Sequence, residues 1–199
     1  MNTHLERATG EHAPDNGLDQ KAPERWEVDE TRSRLAFTLR HLILQKIHGE
    51  FEQLGGTLFL DRHQPSMSSL RLWIDLATID TDATERDDHV RSAEFLDVAQ
   101  FPRATFESTM VQIREGDVVI HGRLNLHGVV RDIEVFIQPS TMPADARPGR
   151  RQTFSGRAKI NRQAFGLRWN QDLDAGGFVL GDDIEILAHI EIVRTADGV

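Results

Sequence analysis

No cysteine occurs in the 199-residue chain, so neither disulfides nor thiol chemistry contribute to its fold or activity. Long apolar runs are missing as well: nothing approaches the ~18 consecutive apolar residues of a spanning helix. Positive charge is in deficit, with 23 Lys and Arg against 32 Asp and Glu and a formal net charge of −9. That balance argues against a nucleic-acid partner, which needs a basic surface. It argues equally against a stable membrane anchor built on a basic amphipathic helix. The signatures of common chemistry are also absent: there is no G-x-S-x-G elbow, H-E-x-x-H pair, P-loop or G-x-G-x-x-G turn. No catalytic residue and no cofactor are therefore expected.

What remains is an ordinary globular composition, 39% hydrophobic and 28% charged, on a chain of the length of one domain. Residues 1–24 carry five acids and two basic groups, with no Val, Ile or aromatic side chain. Such a segment buries too little to offset its ordering entropy. It reads as a disordered tail ahead of a single domain over 25–195. The start at Met1 lacks the basic, apolar and small-residue zones of a secretory signal. A cytoplasmic location is expected, and a periplasmic one were a leader to precede this sequence.

From Trp26 onward the dominant period is two, the mark of half-buried strands. Leu35, Phe37, Leu39 and His41 share one face, as do Leu70, Leu72, Ile74 and Leu76. Val118, Ile120, Gly122, Leu124 and Leu126 form a third set, followed by Ile133, Val135 and Ile137. Phe154, Gly156, Ala158 and Ile160, then Ile184, Ile186, Ala188, Ile190 and Ile192, complete the series. Glu115-Gly116-Asp117 reads as a hairpin turn, and Gly55-Gly56 and Gly128 as further punctuation. The pattern predicts roughly eight to nine strands in an antiparallel meander. A closed barrel removes the vulnerable edges, while a sandwich would show the same alternation.

Two segments interrupt the strands. His41 to Ile47 reads as a short helical corner. Thr84 to Leu96 reads as one or two helical turns, with Thr84 and Asp87 as a capping box and Ser92 capping the next turn. A polar, proline-bearing loop is expected over 139–151. Within the second interruption Arg86, His89 and Arg91 stand beside Phe95 and Phe101 in an acidic chain. The segment from Arg86 to Phe101 is expected to form one rim of a barrel mouth, its cations near a polar or anionic head group. The same charges could instead be satisfied by Asp87, Asp88 and Glu94. Trp73 is expected on the outer face of its strand, as a possible dimer or partner patch. Neither His41/His48 nor His121/His127 has metal-site company, so no metal is expected. The pairs Asp80/Asp82 and Asp182/Asp183 read as turn caps rather than acid–base groups.

An antiparallel barrel of ~8 strands is either filled by its side chains or holds one small ligand. The inward set is apolar, so a cavity there would suit a long hydrocarbon chain. Phe37, Leu39, His41, Leu70, Leu72, Ile74, Leu124, Leu126, Val135 and Phe154 are the candidate contacts from the strands.

The order of several blocks resembles the YceI-like family. They are Trp26-Glu27-Val28-Asp29, Gly49-Glu50-Phe51, Ala77-Thr78-Ile79-Asp80-Thr81 and Arg86-Asp87-Asp88-His89-Val90-Arg91-Ser92. Glu94-Phe95-Leu96-Asp97-Val98 with Phe101-Pro102, Thr105-Phe106-Glu107, Gly122-Arg123-Leu124-Asn125-Leu126-His127-Gly128, Asn161-Arg162 and Phe165-Gly166-Leu167-Arg168-Trp169-Asn170 follow. The resemblance spans Trp26 to about Val193. Val90 and Leu96 stand where the family often has Leu and Phe, and Ala164 replaces an acidic residue. The resemblance implies an all-β, lipocalin-like antiparallel barrel with a short helical insert. Such a barrel binds a long isoprenoid or related amphiphile without catalysis, as a carrier, storage or stress protein and often as a dimer. The matched blocks add Phe51, Phe106, Phe165 and Trp169 to the expected ligand contacts. An enzyme on a lipophilic substrate, or a packed barrel serving in interactions, are the alternatives.

Overall fold

The alternating sequence forms eleven strands among the residues that the computed structural model describes, which are 22–41, 45–114, 117–139, 151–170 and 180–195. They are β1 (Glu24–Val28), β2 (Arg34–His41), β3 (Gln45–Phe51), β4 (Leu54–Leu60), β5 (Ser69–Asp75) and β6 (Ile79–Asp80). After one helix, α1 (Thr84–Arg91), come β7 (Arg103–Arg114), β8 (Asp117–Leu126), β9 (Val129–Pro139), β10 (Arg151–Asn161) and β11 (Leu180–Arg194). All pairings are antiparallel. Eight strands close a barrel in the order β1-β4-β5-β7-β8-β9-β10-β11, with β11 returning to β1.

Closure depends on the length of β11. Its 15 residues give one edge room for two neighbours: β2 pairs along Leu180–His189 and β1 along Ile192–Arg194. Strands β2, β3 and β6 continue the sheet from the other part of that edge. The corner between β1 and β2 is pinned where the two share that edge. Ser33, fully buried, accepts the Glu191 amide at 3.0 Å, and the Asp29 amide donates to the Glu191 carbonyl at 2.8 Å. Arg151 bridges the Asp29 and Glu191 carboxylates.

The Thr31 hydroxyl and then Arg151 hold the Asp29 carboxyl below the usual aspartate range, against an opposing effect of burial. A depressed folded pKa gives stability that is fully present above the unfolded value of 3.8 and lost as pH falls through the folded one. Asp29→Asn is accordingly expected to lower the melting temperature at pH 7. Its deficit should shrink to nothing at an acid pH below the folded pKa, where both proteins are neutral at this position. Thermal unfolding at the two pH values checks this, and an equal deficit at both would assign the loss to geometry rather than charge.

Two local features keep the inward faces aligned. A bulge between Ser108 and Met110 adds one residue to β7, so that Phe106 and Val111 both face inward although five positions apart. His127 and Gly128, at φ 53° and 72°, form the tight primed turn that joins β8 to β9 with the correct twist. A Cβ at Gly128 would lie 2.7 Å from the Phe101 ring, so this turn must be glycine on two counts.

Several expectations need correction. His41 and Gln45–Ile47 are strand residues of a β2–β3 hairpin, not a helical corner; residues 42–44 lie outside the described set. Gly55 and Gly56 sit inside β4 and do not punctuate it. Their missing side chains admit the Trp73 ring and the Arg71 carbonyl, which a Cβ would meet at 2.6 and 2.1 Å. The strand series begins at Glu24, paired with Leu60, one residue before the expected boundary. The expected tail up to residue 21, the turn at 115–116 and the loop at 140–150 lie outside the described residues. Trp73 does face outward from β5, where the Arg103 guanidinium lies 4.3 Å over its ring.

Candidate functional site

The interior divides in two. At the end closed by β1, Trp26, Val28, Leu35, Leu54 and Ile192 form a packed cluster, with Trp26 and Ile192 at most 1% exposed. Further along the barrel the side chains do not meet, and they leave a cavity of about 220 Å³. A single water occupies roughly 10–15 Å³ on such a measure, so this is far larger than a packing defect.

One wall of this cavity is the helical interruption. The Leu76 amide donates to the Pro102 carbonyl at 3.0 Å, which ties off residues 77–101 as an excursion from the sheet between β5 and β7. Within it Ile79, Thr81, Arg86, His89, Val90, Phe95 and Leu96 face the cavity. Helical spacing explains three of them, because Arg86, His89 and Val90 lie three and four apart and share one face. Acids in the first turn (Glu85, Asp87) and basic groups in the last (His89, Arg91) suit the helix dipole. The expected capping box is not formed. Ala83 is the N-cap, and the buried Asp87 carboxylate instead accepts the Thr81 amide at 3.1 Å and hydroxyl at 2.6 Å. Ser92 does cap the following turn, accepting the Glu94 amide at 3.3 Å.

The cations of the excursion are engaged with its backbone. Arg86 donates from Nε to the Thr81 hydroxyl (2.7 Å) and from Nη2 to the Thr81 carbonyl (2.5 Å). Arg91 donates to the Ala77 and Ile79 carbonyls at 2.9 and 2.6 Å and pairs with Asp88 at 3.1 Å. Arg86 lines the cavity; Arg91 does not. His89 sets its ring edge-on to Trp169, with centroids 4.7 Å apart.

Of the contacts expected from sequence, Phe37, Leu39, His41, Phe51, Ile74, Leu124 and Leu126 line the cavity from the strands. Arg86, His89, Phe95 and Trp169 line it from the excursion and the β10–β11 connection. Leu70, Leu72, Phe106, Val135 and Phe165 belong to the packed margin of the same apolar cluster, and Phe154 packs toward the closed end. Phe101 stands away from the cavity, edge-on to His127 at 4.7 Å. Ala104, Ile160, Leu180 and Ile184 are lining residues that the sequence reading did not single out as contacts. The alternation already placed Ile160 and Ile184 inward, which was the available signal.

The residue most thoroughly missed is Arg162, whose side chain is 0% exposed. Its guanidinium donates to four carbonyls: Gly181 (2.8 Å), Leu167 (2.6 Å), Trp169 (2.9 Å) and Leu180 (3.2 Å). It also pairs with Asp182 at 3.1 Å. Burial lowers its pKa from the ordinary arginine value and Asp182 opposes that, yet an arginine stays charged under such conditions. Arg162 thus fastens the connection carrying Leu167 and Trp169 to the start of β11, setting three cavity residues in place. Asp182 and Asp183 are corrected accordingly. They are strand residues paired with Arg162 and with Lys159 (2.8 Å), not turn caps. Asp80 does make a turn, accepting the Asp82 amide at 2.8 Å.

His121 lies on β8 and His127 in the turn that follows it. His121 contacts Glu134 at 3.3 Å and Gln112 at 3.2 Å. Among the described residues no three of His, Asp and Glu converge as metal ligands would.

This architecture and sequence have known counterparts. Residues 26–192 match the family description "YceI-like domain". The chain is 37% identical to Protein YceI of Salmonella newport (strain SL254) over 159 residues, covering 79% of this chain and 80% of that protein. The same figures hold for Protein YceI of Salmonella arizonae. Among solved structures, BcnA of Burkholderia cenocepacia superposes with a TM-score of 0.71 at 22% identity, over 82% of this chain and 98% of that one. A polyisoprenoid binding domain from Saccharophagus degradans superposes with a TM-score of 0.63 at 17% identity, over 85% and 98%. With the closed barrel, its helical excursion and the matched blocks in one order, the chain belongs to the YceI-like family.

Proposed function

We propose that the barrel holds the chain of a long isoprenoid or related amphiphilic lipid in its cavity, as a carrier, storage or stress protein, without chemistry on the ligand. The observation that carries this reading is the cavity itself: about 220 Å³ enclosed almost entirely by aliphatic and aromatic side chains inside a closed barrel. Hydrocarbon placed there gains about 0.8 kcal/mol per buried CH₂ in gross transfer energy. Association and chain ordering offset a large part of that gain. The polar side chains that reach the cavity are few; among them Thr81 donates to Asp87 and Arg86 donates to Thr81. That arrangement suits holding a ligand better than moving protons on one. The polyisoprenoid binding domain of the same fold supports the choice of ligand class.

The test is extraction of the purified protein into organic solvent, followed by mass spectrometry. The expected result is a long-chain isoprenoid or amphiphile in near-stoichiometric amount, or uptake of an added polyprenyl lipid to that level. Neither co-purified lipid nor uptake would leave the barrel without this function.

A further inference from the structure

The cavity has a floor and a stop at one side. Leu35, 9% exposed, both lines the cavity and belongs to the packed cluster of Trp26, Leu54 and Ile192 behind it. Its strand neighbours are Phe51 and Ala188, and the Phe51 ring packs 5.6 Å from that of Phe37. On β7, Ala104 lines the cavity and Phe106, two positions further along the same face, does not. Phe106 is buried, and its ring takes the room that Gly122 leaves, where a Cβ would come within 2.4 Å of it. The same boundary crosses β8: Leu124 and Leu126 line the cavity, while Ile120, beyond Gly122, is packed.

The volume between these limits sets a capacity. An apolar cavity of about 150 Å³ holds one benzene molecule, or about 25 Å³ per carbon. On that scale the cavity of about 220 Å³ takes about nine carbons, close to two isoprene units. A longer stretch of chain would have to displace Leu35 or Phe106 from close-packed surroundings, which protein interiors resist.

We infer that the site takes up only one end of the lipid chain, to a depth of about two isoprene units, with Leu35 as its floor and Phe106 as its side stop. Affinity then grows with chain length only until the cavity is full. Carbons beyond that point, and the head group with them, remain outside. The apolar end is the one that enters, because Leu35, Phe51 and Ala188 offer no polar side chain at the floor. This rests on the reading of the cavity as a lipid site and adds the length of chain that the site recognises.

The experiment compares prenol, geraniol, farnesol and geranylgeraniol, which share one head group and carry one to four isoprene units. Binding is followed by tryptophan fluorescence, with Trp169 in the cavity wall as the reporter, at concentrations where each alcohol is monomeric. The native protein is expected to bind geraniol at least about a hundredfold more tightly than prenol, since every added carbon is buried. From geraniol to geranylgeraniol the whole gain should be within about threefold, since those carbons enter nothing. Leu35→Ala lowers the floor by three carbons, so farnesol should then bind about tenfold more tightly than geraniol. Leu35→Val, a milder change that preserves the fold if the alanine variant does not, should shift the preference the same way by about threefold. A larger gain from geraniol to geranylgeraniol in the native protein would overturn the inference, and that comparison needs no variant. A plateau that stays at geraniol in both folded variants would also overturn it, by removing Leu35 as the floor. Failure of all four alcohols to bind would instead remove the lipid site itself, and this inference with it.

Discussion

Replacing Ala104 by phenylalanine is expected to weaken binding of a long isoprenoid at least tenfold while leaving the protein folded. Ala104 is buried on β7, paired with Ile74, and its methyl group faces the cavity. A larger side chain in a well-packed interior forces neighbours off their rotamers and costs about 1–3 kcal/mol. Here the added ring enters space that no side chain occupies, so apolar contacts are gained where none existed. The ring then stands where the lipid chain would lie. Ligand titration with thermal unfolding separates the two effects: lost binding with an unchanged or raised melting temperature is the expected pair. A fall of several degrees with binding intact would mean that this space is not where the ligand goes. Leu54→Ala provides the contrast. Leu54 is 1% exposed in the cluster that closes the barrel, so its truncation should cost about 2–5 kcal/mol and leave ligand preference unaltered.

Arg162→Met is expected to be the most damaging single change in the domain. Methionine fits much of the arginine stem but offers no donor to the carbonyls of Leu167, Trp169, Leu180 and Gly181 or to Asp182. Each carbonyl left buried without its donor costs about 1–3 kcal/mol, whereas Asp182, 45% exposed, keeps its contact with water and adds little. Total stability of a domain is about 5–15 kcal/mol, so the protein should lose about 10 °C or more in melting temperature, or fail to accumulate in soluble form. Arg162→Lys should recover only a minor part, because a single ammonium cannot serve acceptors spread along two separate backbone stretches. A shift within 2 °C for Arg162→Met would show that Phe165 and Leu167 hold the connection by packing alone. In any folded variant, ligand affinity should fall as well, since Trp169 and Leu180 take their positions from this guanidinium.

These two positions also mark how far the amino-acid sequence could be read. Alternation along Leu35, Phe37, Leu39 and His41, and along Ile184, Ile186, Ala188, Ile190 and Ile192, identified both strands and their inward faces. A side-chain period of two leaves no other way to bury such a set. The charged excursion was legible as a helix, and its resemblance to the YceI-like family was legible in the order of the blocks. His41 to Ile47 was misread because a short apolar run carries no decisive period, and what settles it is the partner strand β2 supplies to β3. Asp182 was misread because its partner, Arg162, is remote in sequence and gives no spacing signal.

By itself the sequence determined a strand-rich, acidic, cysteine-free domain of recognisable family, because local periodicity and composition suffice for those properties. Only the tertiary structure decided how the barrel closes, with β1 and β2 dividing one edge of β11. It alone decided that the interior is packed at one end and hollow at the other. Inward apolar residues look the same in a solid core and in a ligand cavity. The outcome depends on whether the circumference of the barrel exceeds the volume of the side chains within it. The duties of the charged groups were decided in the same way: Arg86 and Arg91 serve the backbone of the excursion, and Arg162 that of the β10–β11 connection.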